Sequence, residues 1–149
     1  MGRAVLLWMI PINLFLVVWV WFGRLVFGVG GWFFLIFLVS VVPVVLVALL
    51  VTTILAYTQH GRPRSLTGFQ AGAQLVTWLA LLVFGTFCPD FGDTVESEMS
   101  VLTQAFGWSR TALDVSYYVT LTAALVALVA WIVLLGSLVF ARRRSPVPA

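Results

Sequence analysis

Long apolar stretches, separated by shorter polar ones, make up most of the chain. Four of them approach or exceed the length that a membrane-crossing helix needs, about 20 mostly apolar residues. They run roughly over residues 5–22, 32–57, 71–87 and 115–140. These stretches lack the in–out alternation of barrel strands, and backbone groups in lipid must bond within their own segment, so we expect helices. The pattern predicts an all-α integral membrane protein. Its single domain is a four-helix transmembrane bundle of two antiparallel hairpins.

The composition supports a membrane protein. The chain is 62% hydrophobic and 9% charged, whereas soluble domains are roughly 45–50% apolar and about 25% charged. These values exclude a soluble globular domain, a disordered chain and a nucleic-acid binder. No organellar transit peptide is evident, so we expect the bacterial cytoplasmic (inner) membrane, with membrane lipids as the first partner.

The arginines predict the orientation of the four spans. The side shared by the two termini holds six arginines and no acid, namely Arg3, Arg62, Arg64, Arg142, Arg143 and Arg144. The other side holds the remaining two arginines and all five acids. Because cytoplasmic loops carry the excess of Lys and Arg, we expect both termini in the cytoplasm, ending in a short tail over residues 141–149.

The loop over residues 88–110 is the longest and the only acidic one. Four of its acids lie close together in sequence: Asp90, Asp93, Glu96 and Glu98. Asp93 is the expected N-cap of a short helix, with Glu96 as its capping-box partner and Gly107 as its stop. Apolar residues between them recur on one helical face, which predicts an amphipathic helix over about residues 94–106.

The same acids form the candidate docking site. Because this loop is the only extramembrane surface with distinctive chemistry, we predict that it docks a basic extracytoplasmic partner. A Ca²⁺ site is the weaker alternative, because the spacing lacks the order and the glycine of an EF-hand loop.

Polar and small residues within the spans predict helix packing. Asn13 lies near the middle of the first span, and its amide should face the bundle, toward Gln74 or a freed carbonyl. Pro11 and Pro43 remove backbone donors, so we expect kinks there. Small residues mark close helix contacts, and three candidates lie at helical spacing in the fourth span: Ala123, Ala127 and Ala130. Packing within one chain is the favoured interpretation, with self-association as the alternative.

Charges at the outer ends of the spans predict an ion pair. Arg24 directly follows the first span, where a snorkelling arginine is tolerated at little cost. We predict an interfacial pair between Arg24 and Asp114, with Asp90 as the alternative partner. Asp114 also follows Thr111 at capping distance, so these two residues should start the fourth helix.

The sequence predicts no catalytic, cofactor or metal site. The single histidine, His60, lies in a polar loop, and the single cysteine, Cys88, excludes an internal disulfide. No acid lies centrally in a span, which counts against a proton-coupled transporter. We therefore expect an accessory, assembly or scaffold subunit that contacts other membrane-protein subunits and is not an enzyme. The alternative is a homo-oligomeric channel, transporter or membrane-permeabilising protein. A membrane enzyme built on residues 90–98 comes third.

Overall fold

A computed structural model describes residues 1–59, 65–91 and 98–143. Every regular element in these ranges is a helix, as predicted. The elements are α1 (Gly2–Phe22), a 3₁₀ helix (Gly23–Phe27), α2 (Phe33–Val39), α3 (Val41–Tyr57), α4 (Gly68–Phe87), α5 (Val101–Phe106) and α6 (Arg110–Arg143).

Three helical segments are long and apolar enough to cross a membrane: α1 with the 3₁₀ helix, α4, and α6. The predicted second span is not one helix. It consists of α2 and α3, which meet at a 41° bend and pass the same test only as a pair. The part of the chain that the structure describes therefore holds three candidate spans, or four if the bent pair counts as one.

Pro43 accounts for the break in the second span. Proline has no N–H to donate to the carbonyl four residues earlier, and its ring crowds that carbonyl. Accordingly α2 ends at Val39, four residues before the proline. The Ile36 carbonyl at the break accepts both the backbone N–H of Ser40 at 3.0 Å and its hydroxyl at 2.6 Å. Pro11 produces no such break, because α1 continues through it as one helix.

The helices pack with α4 between α1 and α6. The contact of α4 with α6 is the most extensive, α1 contacts both α3 and α4, and α3 contacts α6 only sparsely. The three alanines of the fourth span lie on its buried side, at 6–8% exposure. These small side chains favour the packing of α6 because they allow its backbone to approach a neighbouring helix closely.

The last helix is longer than the bilayer core requires. α6 has 34 residues, about 51 Å at 1.5 Å per residue, against a hydrocarbon core of about 30 Å. The C-terminal half of α6 is still packed against the other helices, since Leu134 and Leu138 are fully buried. Near its end Arg142 donates a hydrogen bond to the Thr58 hydroxyl, which ties α6 to the end of α3.

Candidate functional site

A buried ion pair lies where the 3₁₀ helix meets the segment after α4. The Arg24 Nε lies 3.3 Å from Asp90 Oδ2, and the two side chains are 0% and 1% exposed. The guanidinium also stacks over Phe37, 4.3 Å from the ring centroid, and is 5.9 Å from the Phe33 ring. The arginine is therefore enclosed in the protein and does not snorkel to an interface.

The predicted pairing of Arg24 with Asp114 is wrong. Asp114 instead lies 3.9 Å from Arg110, one helical turn earlier, and both side chains are largely exposed. The reason is helix packing: among the described residues, neither α1 nor the 3₁₀ helix contacts α6. The 3₁₀ helix that carries Arg24 instead contacts α4 and α5, between which Asp90 lies in the chain.

Asp90 holds several segments together. Its Oδ1 accepts the backbone N–H groups of Phe33 and Phe91, both at 2.9 Å. Phe33 is the first residue of α2, so the carboxylate also lies at the positive end of that helix. Gly31 packs so closely that a Cβ there would lie 2.8 Å from the same oxygen. The carboxylate therefore joins the first loop, α2 and the segment after α4.

The two partners of the ion pair are unequally satisfied. The Asp90 carboxylate has two backbone donors in addition to the arginine. The nitrogens of Arg24 make no hydrogen bond within the described residues. The Arg24 cation is therefore stabilised by the nearby carboxylate charge and the aromatic rings. The burial of Arg24 depends on Asp90 more than the burial of Asp90 depends on Arg24.

A backbone bridge closes the base of the acidic loop. The Asp90 N–H donates to the Met99 carbonyl at 2.8 Å, and the Met99 N–H returns a bond of 2.9 Å. Asp93 and Glu96 lie outside the described residues, and Glu98 is half-buried. Asp90 itself is too deeply buried to contact a partner, which removes it from the predicted docking set.

Residues 94–97 of the predicted helix lie outside the described residues. From residue 98 onward the helix is present over Val101–Phe106 (α5), because Met99 is held in the bridge and the Ser100 backbone is extended. Ser100 and Thr103 form the capping box of α5, whereas the predicted box of Asp93 and Glu96 lies outside the described residues. The predicted stop is confirmed, since Gly107 has a positive φ of 88°.

Two exposed aromatic side chains at the turn after α5 were missed by the sequence analysis. Phe106 is 83% exposed and Trp108 is 56% exposed. The sequence signal that could have identified them is the pair of aromatic residues on either side of Gly107. Ser109, not Thr111, caps α6, because its hydroxyl accepts the Ala112 N–H at 3.1 Å.

Cys88 directly follows α4 and is buried at the end of the bundle that holds the ion pair. It is 5% exposed, and its Sγ lies 3.6 Å from the Pro89 carbonyl. Burial raises the pKa of the Cys88 thiol to about 11, although the Arg24 charge acts in the opposite direction. Because a thiol must be accessible and ionised to react, this cysteine is poorly placed for an intermolecular disulfide.

A second polar cluster lies inside the bundle around Asn13. Its Oδ1 accepts Trp78 Nε1 at 2.7 Å and Gln74 Nε2 at 3.4 Å, and its Nδ2 donates to the Thr53 hydroxyl at 2.8 Å. The cluster links α1 to both α3 and α4. The expected contact with Gln74 is present, and the indole of Trp78 is a further partner that the sequence pattern did not predict. Such bonds between spans act as structural links.

The described residues do not bring together three His, Cys, Asp or Glu side chains that could hold a metal ion. No protein-family model matches the chain, and neither does any curated protein or solved structure.

Proposed function

We propose that the chain acts by contact, as an accessory, assembly or scaffold subunit of a larger membrane complex. In this proposal it spans the cytoplasmic membrane four times as a helical bundle, with the bent α2–α3 pair as one span and both termini in the cytoplasm. Its partners are membrane lipids and other membrane-protein subunits, and it carries out no catalysis.

The observation that carries the proposal is the closed base of the acidic loop. The bridge between Asp90 and Met99 closes the part of this loop that contains Asp93, Glu96 and Glu98, and the buried pair with Arg24 fixes the base of that part to the bundle. A loop whose base is fixed loses less conformational freedom when it binds a partner.

The proposed partner is basic and offers an apolar contact beside its basic groups. The loop sequence presents Asp93, Glu96 and Glu98, and the exposed Phe106 and Trp108 lie in the C-terminal part of the same loop. Aromatic residues are enriched where protein surfaces dock, and complementary charge directs the encounter.

Charge reversal tests this proposal. A triple variant, Asp93→Lys with Glu96→Lys and Glu98→Lys, should lose stoichiometric partner subunits when the tagged protein is purified from its native membrane in mild detergent. Exchanging the exposed pair, Arg110→Asp with Asp114→Arg, keeps the net charge and serves as the matched control. Retention of the same partners by the triple variant would contradict the proposal.

The homo-oligomeric channel remains the second candidate. Fully or nearly fully buried side chains such as Met9, Leu16 and Leu134 occupy the bundle core, so conduction would have to run between copies. Purification of a homo-oligomer without foreign subunits would favour this candidate. Ion flux through that oligomer in liposomes would then be the decisive measurement.

A further inference from the structure

An open furrow runs along the surface of the α4–α6 contact, toward the basic end of the bundle. Its volume is about 580 Å³. Its lining is apolar and includes Phe69, Gly72, Ala73, Val126, Ala130 and Val133. A Cβ added at Gly72 would meet no atom within 4 Å, so the furrow is open at its floor. Because α4 and α6 already form the most extensive helix contact, the furrow is a surface feature of a packed pair.

The cations at this end distinguish the furrow from other apolar surface. A Cβ on Gly2 would clash with the carbonyl oxygen of Leu66, so the start of α1 packs against the turn that leads into α4. This places the N-terminal amine and the exposed Arg3 at the end of the bundle where α4 begins, which is also the end of the furrow lined by Phe69. Arg142, at the end of α6, adds a further cation at this end of the bundle.

No acid counters these cations within the described ranges. The acids there, Asp90, Glu98 and Asp114, lie in the segments that connect α4 to α6 or at the start of α6. Those segments are at the opposite end of the bundle. An occupant of the furrow would therefore meet apolar side chains along its length and positive charge at its end.

We propose that this furrow binds an anionic phospholipid of the adjacent leaflet. The acyl chain lies between α4 and α6, and the phosphate lies near Arg3 and the N-terminal amine. Arginine suits this role because its guanidinium donates several hydrogen bonds to phosphate oxygens. The inference requires that the chain be a membrane protein and is independent of the docking role of the acidic loop.

The test compares lipids of different charge bound to the purified, delipidated protein. Phosphatidylglycerol and phosphatidylcholine are titrated separately, and bound lipid is counted by native mass spectrometry. The wild-type protein should prefer phosphatidylglycerol. Each arginine near an anionic headgroup contributes about fivefold, the equivalent of about 1 kcal/mol, so Arg3→Gln should reduce the preference by about that factor. Arg3→Lys should retain most of the preference.

Two glycine variants distinguish lipid binding in the furrow from attraction of the lipid to the surface charge. Gly72→Leu fills the furrow and should weaken binding of both lipids. Gly136→Leu is the matched control, since Gly136 also has open space around it but does not line the furrow. Equal binding of the two lipids by the wild-type protein, or equal loss in the two glycine variants, would overturn the proposal. The proposal would also be overturned if the wild-type protein showed no lipid preference and formed a dimer that Gly72→Leu abolishes. In that case the occupant of the furrow would be a second copy of the chain. A failed docking test at the acidic loop leaves this result unaffected.

Discussion

Removing the carboxylate of Asp90 should destabilise the protein more than removing the guanidinium of Arg24. Breaking a buried ion pair from one side costs about 3–5 kcal/mol. Asp90→Asn leaves a buried cation whose nitrogens have no hydrogen-bond partner among the described residues, so we expect a loss of about 5 kcal/mol. Arg24→Met leaves a carboxylate that keeps two backbone donors at 2.9 Å, so we expect about 3 kcal/mol.

The double variant provides the decisive comparison. Arg24→Met with Asp90→Asn leaves no buried charge, so it should be more stable than Asp90→Asn alone by about 2 kcal/mol. Unfolding would be followed by tryptophan fluorescence during titration of detergent micelles with dodecyl sulfate. The exposed pair supplies the control, since Arg110→Gln with Asp114→Asn should cost less than about 1 kcal/mol. The reasoning fails if the two single losses add in the double variant, or if Arg24→Met is the more damaging single change.

Cys88 gives a local readout of the same perturbation. Its thiol is buried and its pKa is raised to about 11, so alkylation of the folded protein at pH 8 should be roughly a hundredfold slower than that of a free thiol. The rate should keep rising with pH up to about 11, because the thiolate is the reacting species. Asp90→Asn should accelerate the reaction by loosening this end of the bundle. Wild-type labelling at the free-thiol rate would refute the burial of Cys88.

Two further predictions concern packing within the bundle. Asn13→Leu removes three hydrogen bonds between helices. At about 0.6 kcal/mol each, this should lower the free energy of unfolding by about 2 kcal/mol. The control Ser137→Ala loses only a bond within its own helix and should change stability very little in the same titration. Gly85→Ala places a Cβ 2.8 Å from the Trp19 carbonyl oxygen and should cost about 1–3 kcal/mol, whereas Gly136→Ala should be tolerated. Equal stabilities within either pair would contradict the packing described here.

Local features of the chain were predictable from sequence because hydropathy and backbone geometry act over short distances. The apolar stretches identified the long helices, and Gly107 identified the end of α5. A kink near Pro43 was likewise expected from the missing N–H. The position of the break at Ser40 was not predicted, because proline disrupts the helix toward its N-terminal side and nothing in an apolar run marks where the bend begins.

Features that depend on helix neighbours were not predictable. Arg24 had two acids in possible reach, and only the packing of α1 against α4 selects Asp90 over Asp114. The start of α5 shows the same effect. The bridge between Asp90 and Met99 is followed by extended backbone at Ser100, which becomes the N-cap of α5, and a pairing between residues distant in sequence is not visible in a local pattern.

The buried pair is better understood as a device for geometry than as a source of stability. Two well-packed apolar residues at the same positions could be equally stable or more so. They would leave the backbone N–H groups of Phe33 and Phe91 without the acceptor that they now share. An acceptor is therefore required at residue 90, and a carboxylate buried there requires a cation such as Arg24. Because the same residue forms the bridge to Met99, the base of the acidic loop is held by the elements that meet at this end.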